Sequence, residues 1–497
     1  MSGRLFANFK VLLALIPVVI LVNVLLGFSG PKEEEIKILR PSHAFIHSAY
    51  YYGASSKSLG KNAVAIVMSV NKLTADRILD MKINIHGTNT SLEHYSTKAQ
   101  LSTEHHLDGS CEYITILAQT STLDNMGRLE IESNGVVDKV DFKRPLAESP
   151  SKVVFCIAPQ LAADDWQSFL RQVHVAKRYG AHLHVYVISM VEKYYKLLQA
   201  YEKLGYITIE PWLTVKFSNL RERESEPQKN IELLMKTAAF TDCILNYKEA
   251  AKFVGSIEMD DILIPTGSNS YYEEFEKQYD GSFIYSGLTY AREVYEIQRH
   301  SEESEIFSMI RNATLIEREH YGRTFVRPTR YNSTWLHWSR NADLTPRYMT
   351  EGQFLPLFTK HKKVENNRIL NFKDGQTTRT DNRETMKELI TDSDFNDIEA
   401  DLKKHLELPQ IKRILPFLPK DQIYTSVLKN CFNEYFTQTK SNEETLCMDL
   451  YKCELPVRND FPCVHSDGLY NSMWPMRPIT YHWASQQFFS RNIGCNI

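Results

Sequence analysis

From residue 152 onward the chain switches repeatedly between two hydrophobic periods. "KVVFCIA" (152–158) is a continuous apolar run of strand length, after which Trp166, Phe169, Leu170 and Val173 recur at helical spacing. Asp164 or Asp165 is placed to cap that helix, and Gly180 to end it. "HLHVYVIS" (182–189) predicts a second strand. "VEKYYKLLQAYEKLG" (191–205) predicts an amphipathic helix closing on Gly205, and "YITIEPW" (206–212) a third strand. A third helical region, "NIELLMKTAAFTDCILNYKEAAKF" (230–253), leads into the strand "FVGSI" (253–257). Successive βα units of this length predict parallel strands, whose ligands collect at their carboxyl ends.

The preceding stretch is patterned differently. "NAVAIVMSV" (62–70), "RILDMKINIHG" (77–87) and "CEYITILAQ" (111–119) are β-rich runs separated by the turn-prone "GTNTS" and "HLDGS". They predict a small β domain. "KRPLAESPSK" (143–152), with two prolines and mixed charge, is the expected linker between the two parts.

At the N-terminus Arg4 and Lys10 precede the apolar "VLLALIPVVILVNVLLGF" (11–28), and the acidic "PKEEE" follows it. Eighteen residues at about 1.5 Å each reach roughly 27 Å, so this run predicts a transmembrane signal anchor. The charge bias predicts type II topology, with everything beyond residue 28 in the lumen or outside. The rival is a cleaved signal peptide ending near Gly27 and Ser29.

The overall composition of 497 residues, 43% hydrophobic and 24% charged, is that of a globular protein. A formal charge of -3 offers no long-range attraction to a polyanion, which argues against nucleic acid as a partner. Five of the eight cysteines, Cys431, Cys447, Cys453, Cys463 and Cys495, fall in the last stretch without a C-x-x-C pair. They predict disulfides of open connectivity, not a zinc ribbon. Asn89, Asn312 and Asn332 head N-x-S/T sequons.

The chemistry concentrates in "SIEMDDILIP" (256–265), where Glu258, Asp260 and Asp261 follow an apolar strand. Carboxylates at a strand end are costly to bury, and a hard divalent cation bridging the phosphates of a nucleotide would account for them. Glu258 and Asp260, two apart on an extended chain, would share a face, with Asp261 opening the turn. A solvated acidic turn is the plain alternative.

Together "VVFCIAPQ", "DDWQSFLRQVHVAKRYGAHLHVYVISM", "YEKLGYITIEPW" and "TDCILNYKEAAKFVGSIEMDDILIP" resemble the catalytic domain of glycosyltransferase family 92, from about residue 152 to about 400. Residues 48–68 resemble the domain that precedes it in membrane-anchored members. The resemblance implies a GT-A fold and inverting transfer of galactose from UDP-galactose to a glycan, with manganese as the usual metal. Where the family usually has aspartate this chain has Glu258, whereas Asp260 and Asp261 match. Pro159 and Gln160 sit where such a fold meets the uridine, and Asp242 and Lys248, which match a block leading into the metal motif, are further nucleotide-binding candidates, with Lys248 placed either to offset phosphate charge or to lie solvated on a helix.

A third metal ligand is expected from His337, with His361 as second choice, because neutral imidazole binds manganese-like ions. His182 and His184 share a strand face and read as packing residues. An inverting transfer also needs a general base, for which Glu293, Glu296 and Asp343 are candidates.

The expected organisation is a cytosolic tail (1–10), an anchor (11–28), a stem and β-rich domain (29–148), a GT-A glycosyltransferase domain (149–420) and a cysteine-containing region (421–497). The expected setting is the Golgi membrane, with the catalytic domain luminal. The alternatives are a non-catalytic glycan-binding or adhesion protein on the same fold, or a transferase using another UDP-sugar.

Overall fold

The computed structural model describes residues 42–495 apart from 57, 73–82, 104–110, 218–226, 266, 280–284, 298–306, 308–309, 311–312, 335–359, 375–389, 442–446, 448–449 and 476–478. The first seven strands are β1 (Ser42–Tyr51), β2 (Ala63–Asn71), β3 (Ile83–Asn89), β4 (His94–Ser102), β5 (Tyr113–Ser121), β6 (Met126–Ser133) and β7 (Val136–Val140). The α/β part then runs β8 (Val153–Gln160), α1 (Trp166–Arg178), β9 (Ala181–Val187), β10 (Ser189–Val191), α2 (Glu192–Lys203), β11 (Ile207–Pro211), α3 (Lys236–Tyr247), β12 (Phe253–Ile257) and β13 (Asp261–Leu263). It continues through α4 (Tyr271–Tyr279), β14 (Tyr285–Ile297), β15 (Thr314–Val326), β16 (Lys360–Asp374) and α5 (Asp392–Leu406). The chain closes with α6 (Ile423–Ser441), β17 (Pro462–Ser472) and β18 (Ile479–Ile493).

Two sheets organise these elements. One has eight strands in the order β11-β9-β8-β12-β15-β14-β16-β13. Its first four strands are all parallel. Their order, 3-2-1-4 along the chain, is that of a nucleotide-binding α/β half. The other sheet has ten strands, β10-β17-β18-β1-β2-β5-β4-β3-β6-β7, so strands from both ends of the chain share it. β18 lies parallel beside β1, with Ser42 opposite Ile479.

The mixed character of the apolar run in β2 follows from burial on both faces. Val64, Ile66 and Met68 join one cluster with Ala44, Ile46 and Tyr51, whereas Ala63, Ala65 and Val67 join the main core with Tyr50 and Tyr52. The ten-stranded sheet is thus packed against the α/β core on one side. α3 lies at that junction, where Tyr52 Oη donates to the Leu245 carbonyl at 2.8 Å.

Local signals behave as their chemistry requires. Asp165 is the cap of α1, accepting from Ser168 N at 3.3 Å. Asp164 instead is buried and accepts from the backbone of Tyr424 and Thr425 at 2.8 and 3.1 Å, which holds α6 to the core. All eight cysteines are paired, as Cys111–Cys447, Cys156–Cys243, Cys431–Cys453 and Cys463–Cys495. Cys156–Cys243 fastens β8 to α3.

The expected N-terminal transmembrane helix is not supported. No helix among the described residues is long and apolar enough to cross a membrane, and residues 11–28 lie outside the described residues. The described helices carry polar and charged residues along their length, even where, as in α1, nearly every position is buried. Even α6, at 19 residues, includes Lys429, Asn433 and Glu434.

Gly255 of β12 shows how tightly the strand beneath the acidic turn is packed. A Cβ placed there would meet the Phe325 ring of β15 at 2.3 Å. Gly255→Ala should therefore destabilise the protein by about 1–3 kcal/mol, because the ring sits in a buried aromatic cluster with little room to yield. A lowered urea midpoint would show it, and an unchanged midpoint would mean that Phe325 repacks freely.

Candidate functional site

β12 ends on Ile257, and Glu258, Met259 and Asp260 turn the chain into β13, which Asp261 opens. Asp261 N donates to the Glu258 carbonyl at 3.2 Å, and Glu258 N donates back to Asp261 Oδ2 at 3.1 Å. This reciprocal pair closes a four-residue turn, so Asp260 lies within the turn and not on an extended face shared with Glu258. The turn stands at the carboxyl end of the parallel strand β12, beside β8.

Three cations surround it. Asp261 is fully buried, with Arg292 Nε 3.0 Å from Oδ1 and Arg323 Nε 2.5 Å from Oδ2. Glu258, about one-fifth exposed, pairs with Lys236 at 2.7 Å and approaches Arg323 Nη2 at 3.6 Å. Burial alone would raise both carboxyl pKa values. For Asp261 the two arginines and the Glu258 amide more than offset burial and hold it down at about 2. Lys236 and Arg323 likewise leave Glu258 below the ordinary carboxylate range.

The elements that supply these cations are specific. β14 and β15 run antiparallel side by side, with Tyr290 opposite Arg323, and this aims Arg292 and Arg323 at one carboxylate. Lys236 opens α3, directly after Leu233, Leu234 and Met235, whose φ values of 44°, 58° and 58° are all left-handed. Each such residue costs roughly 1–2 kcal/mol, which surrounding packing must supply.

The remaining candidates are distributed around the fold. Gln160, at the end of β8, donates from Nε2 to the Ala158 carbonyl at 2.7 Å, beside Pro159. Asp242 is buried on α3 and accepts from Tyr50 and Tyr186 hydroxyls at 2.8 and 2.6 Å. It lines a small cleft with Lys143, Glu210 and Trp212, at the junction of the two sheets. Lys248 is fully buried and donates to the carbonyls of Pro328 and Tyr331, so its ammonium caps a chain reversal.

Glu293 is buried on β14 and accepts from Tyr295 Oη at 3.0 Å. Strand alternation puts it on the face opposite Arg292. Glu296 lies on the same strand. His337, Asp343 and Asn312 lie outside the described residues, and His361 falls on β16 with its side chain outside them. His182 bonds Thr208 Oγ1 at 2.9 Å, and His184 bonds Tyr247 Oη at 3.2 Å and sits 3.0 Å from Glu210. Asn89 is buried, and its Nδ2 donates to Glu93 at 2.6 Å, whereas Asn332 is half-buried.

The three acids therefore do not offer equivalent oxygens to a divalent cation. Both oxygens of Asp261 are held by guanidinium groups and a backbone amide, a donor set that does not fit a metal ligand. Asp260, in the turn, and Glu258, once it exchanges its lysine, are hard oxygen donors of the fitting type. Lys236, Arg292 and Arg323 escaped sequence reading because nothing local distinguishes a buried cation from a surface one.

The sequence model of glycosyltransferase family 92 matches residues 151–406, from just before β8 to the end of α5. The Caenorhabditis elegans glycosyltransferase family 92 protein F55C10.4 is 44% identical over 488 residues, covering 94% of this chain and 93% of its own. Its relatives ZK381.2 and C33H5.2 are 35% and 30% identical, each across at least 94% of this chain and 92% of their own. With the match running through the whole α/β unit that carries the acidic turn, and relatives colinear over nearly the full length, the chain belongs to glycosyltransferase family 92.

Proposed function

We propose that this glycosyltransferase moves galactose from UDP-galactose to a glycan acceptor, with inversion and with a manganese-type cation. The observation that carries the reading is the turn from Glu258 to Asp261, set at the carboxyl end of a central parallel strand and ringed by Lys236, Arg292 and Arg323. Asp260 would hold the cation, with Glu258 beside it. When bound, the cation would neutralise the diphosphate of the leaving nucleotide. Asp261 and its two arginines keep the turn in shape, and Arg323 and Lys236 place positive charge where an anionic donor must dock.

Pro159 and Gln160, at the neighbouring end of β8, are the proposed nucleoside contacts. His337, with His361 as second choice, is the proposed third cation ligand. Asp343 is preferred over Glu293 as the base that takes the acceptor hydroxyl proton, since Glu293 is buried and faces away from Arg292. Four disulfides support residence in an oxidising lumen such as the Golgi. The second reading, a glycan-binding protein on this fold, draws on the ion pair that already occupies Glu258.

UDP release by purified protein distinguishes these readings, measured with UDP-galactose, UDP-glucose and UDP-N-acetylglucosamine, with manganese or chelator, over a panel of acceptor glycans. Turnover is expected with UDP-galactose and manganese. Turnover with another sugar would overturn the donor assignment, and no turnover with any donor, metal or acceptor would favour the binding protein.

A further inference from the structure

A second constellation of ligand-type side chains lies apart from the acidic turn, between two helices on one side of the sheet. α1 starts beyond the carboxyl end of β8 and runs back along the sheet, so His174, its ninth residue, lies about 12 Å toward the amino ends of the strands. There α1 packs against α5, on which Asp401 and His405, four residues apart, share one face. One donor atom from each of His174, Asp401 and His405 falls within 4.8 Å of the others. We infer that these three residues form a structural site for a zinc-class dication that clips α5 to α1.

The surroundings are those of a prepared site. His174 is completely buried, and its Nε2 is anchored to Tyr201 Oη at 2.8 Å, which leaves Nδ1 facing Asp401 Oδ2 at 2.7 Å. Tyr206 donates to the other Asp401 oxygen at 3.4 Å, and His405 Nδ1 lies 2.7 Å from the Asp401 carbonyl and 3.3 Å from Oδ1. Hydrogen bonds that fix the unused nitrogen of a histidine and the unused oxygen of a carboxylate are what orient metal ligands. Asp401 is 31% exposed on its side chain, which opens a path for the ion and for water as a fourth ligand.

Two imidazoles with one carboxylate suit zinc, not the all-oxygen preference of magnesium or calcium. Tetrahedral zinc holds its ligand atoms about 3.3 Å apart, so the ion would replace the proton between His174 and Asp401 and part them by about half an ångström. Metal at this place touches neither the acidic turn nor any donor-binding candidate. Its role is to tie α5, where the family match ends, to the first helix of the α/β unit.

Chelator-treated protein, desalted and titrated with Zn2+ alone, tests this by calorimetry and thermal melting, with Co2+ absorption reporting the ligand geometry. In Asp260→Asn protein, where the acidic turn no longer competes as a second divalent site, one zinc per chain, a raised melting temperature and tetrahedral cobalt bands are expected. Tyr201→Phe should weaken binding roughly 10-fold and His405→Gln should abolish it, whereas Asp260→Asn should leave it intact. If treated wild-type protein takes up no zinc, or if His174→Gln and His405→Gln bind as wild type does, the inference fails. In that case the three residues are a hydrogen-bonded helix contact only.

Discussion

Asp260→Asn should lower turnover roughly 100-fold or more while the melting temperature stays within a degree or two of wild type. The substitution keeps the side chain's shape and removes one negative charge from the middle of the turn, where Glu258 and Asp261 already hold each other by backbone and carboxylate hydrogen bonds. Asp261→Asn should do the reverse. It would leave Arg292 and Arg323 facing a neutral amide inside the protein, and breaking a buried ion pair from one side costs about 3–5 kcal/mol. Loss of fold is therefore the expected primary effect at 261, and loss of chemistry with an intact fold at 260. Manganese-dependent UDP release and thermal melting, run on both variants, check the pair. Normal manganese-dependent turnover by Asp260→Asn would mean that the acids form a turn held by arginines, with no part in catalysis.

That division of labour was not legible in the sequence, and the reason is physical. "EMDD" announces three carboxylates after a strand, but their roles depend on which cations reach them. Arg292 and Arg323 arrive from strands 31 and 62 residues later. The βαβα order was legible because apolar runs of strand length alternate with helices whose caps, Asp165 and Gly180, are local signals. β4 was not, because its residues are mostly exposed and only Ala99 and Leu101 of its inward face reach the core. The pairing of β18 with β1 and the partner of each cysteine are likewise properties of the closed chain. Lys248 illustrates the opposite error. A lysine on a helix suggests solvent or phosphate, yet here the ammonium is buried on two carbonyls supplied 80 residues on.

Stability should fall steeply as pH drops from about 6.5 toward 4.5, and buried histidines are the cause. Burial holds His47 and His482 down at about 3 and His182 at about 4, with His43 adding to the effect at His482 and His184 at His182. Each ring is fixed in its neutral form by packing. His47 stacks on Trp212 at 5.1 Å and bonds Ser69 at 2.6 Å, His482 bonds Ser472 at 2.7 Å, and His182 bonds Thr208 at 2.9 Å. A folded pKa below the unfolded value means that the unfolded chain binds more protons. The stability is therefore complete above the ordinary histidine value and is lost as pH falls below it. At about 1.4 kcal/mol per unit, each histidine accounts for up to roughly 3 kcal/mol by pH 4.5. The depressed carboxylates Glu210 and Asp261, both near 2, act in a lower window, below the unfolded carboxylate range near 4, and so do not mask the effect. Urea midpoints at pH 7, 6 and 5 should fall in order, and His47→Gln and His482→Gln should each flatten the slope while lowering the midpoint at pH 7. A midpoint that holds constant from pH 7 to pH 5 would show that the junction between β1, β18 and the α/β core admits charged imidazoles. Loss of the slope in the glutamine variants would place the acid sensitivity at that junction, where the two sheets meet.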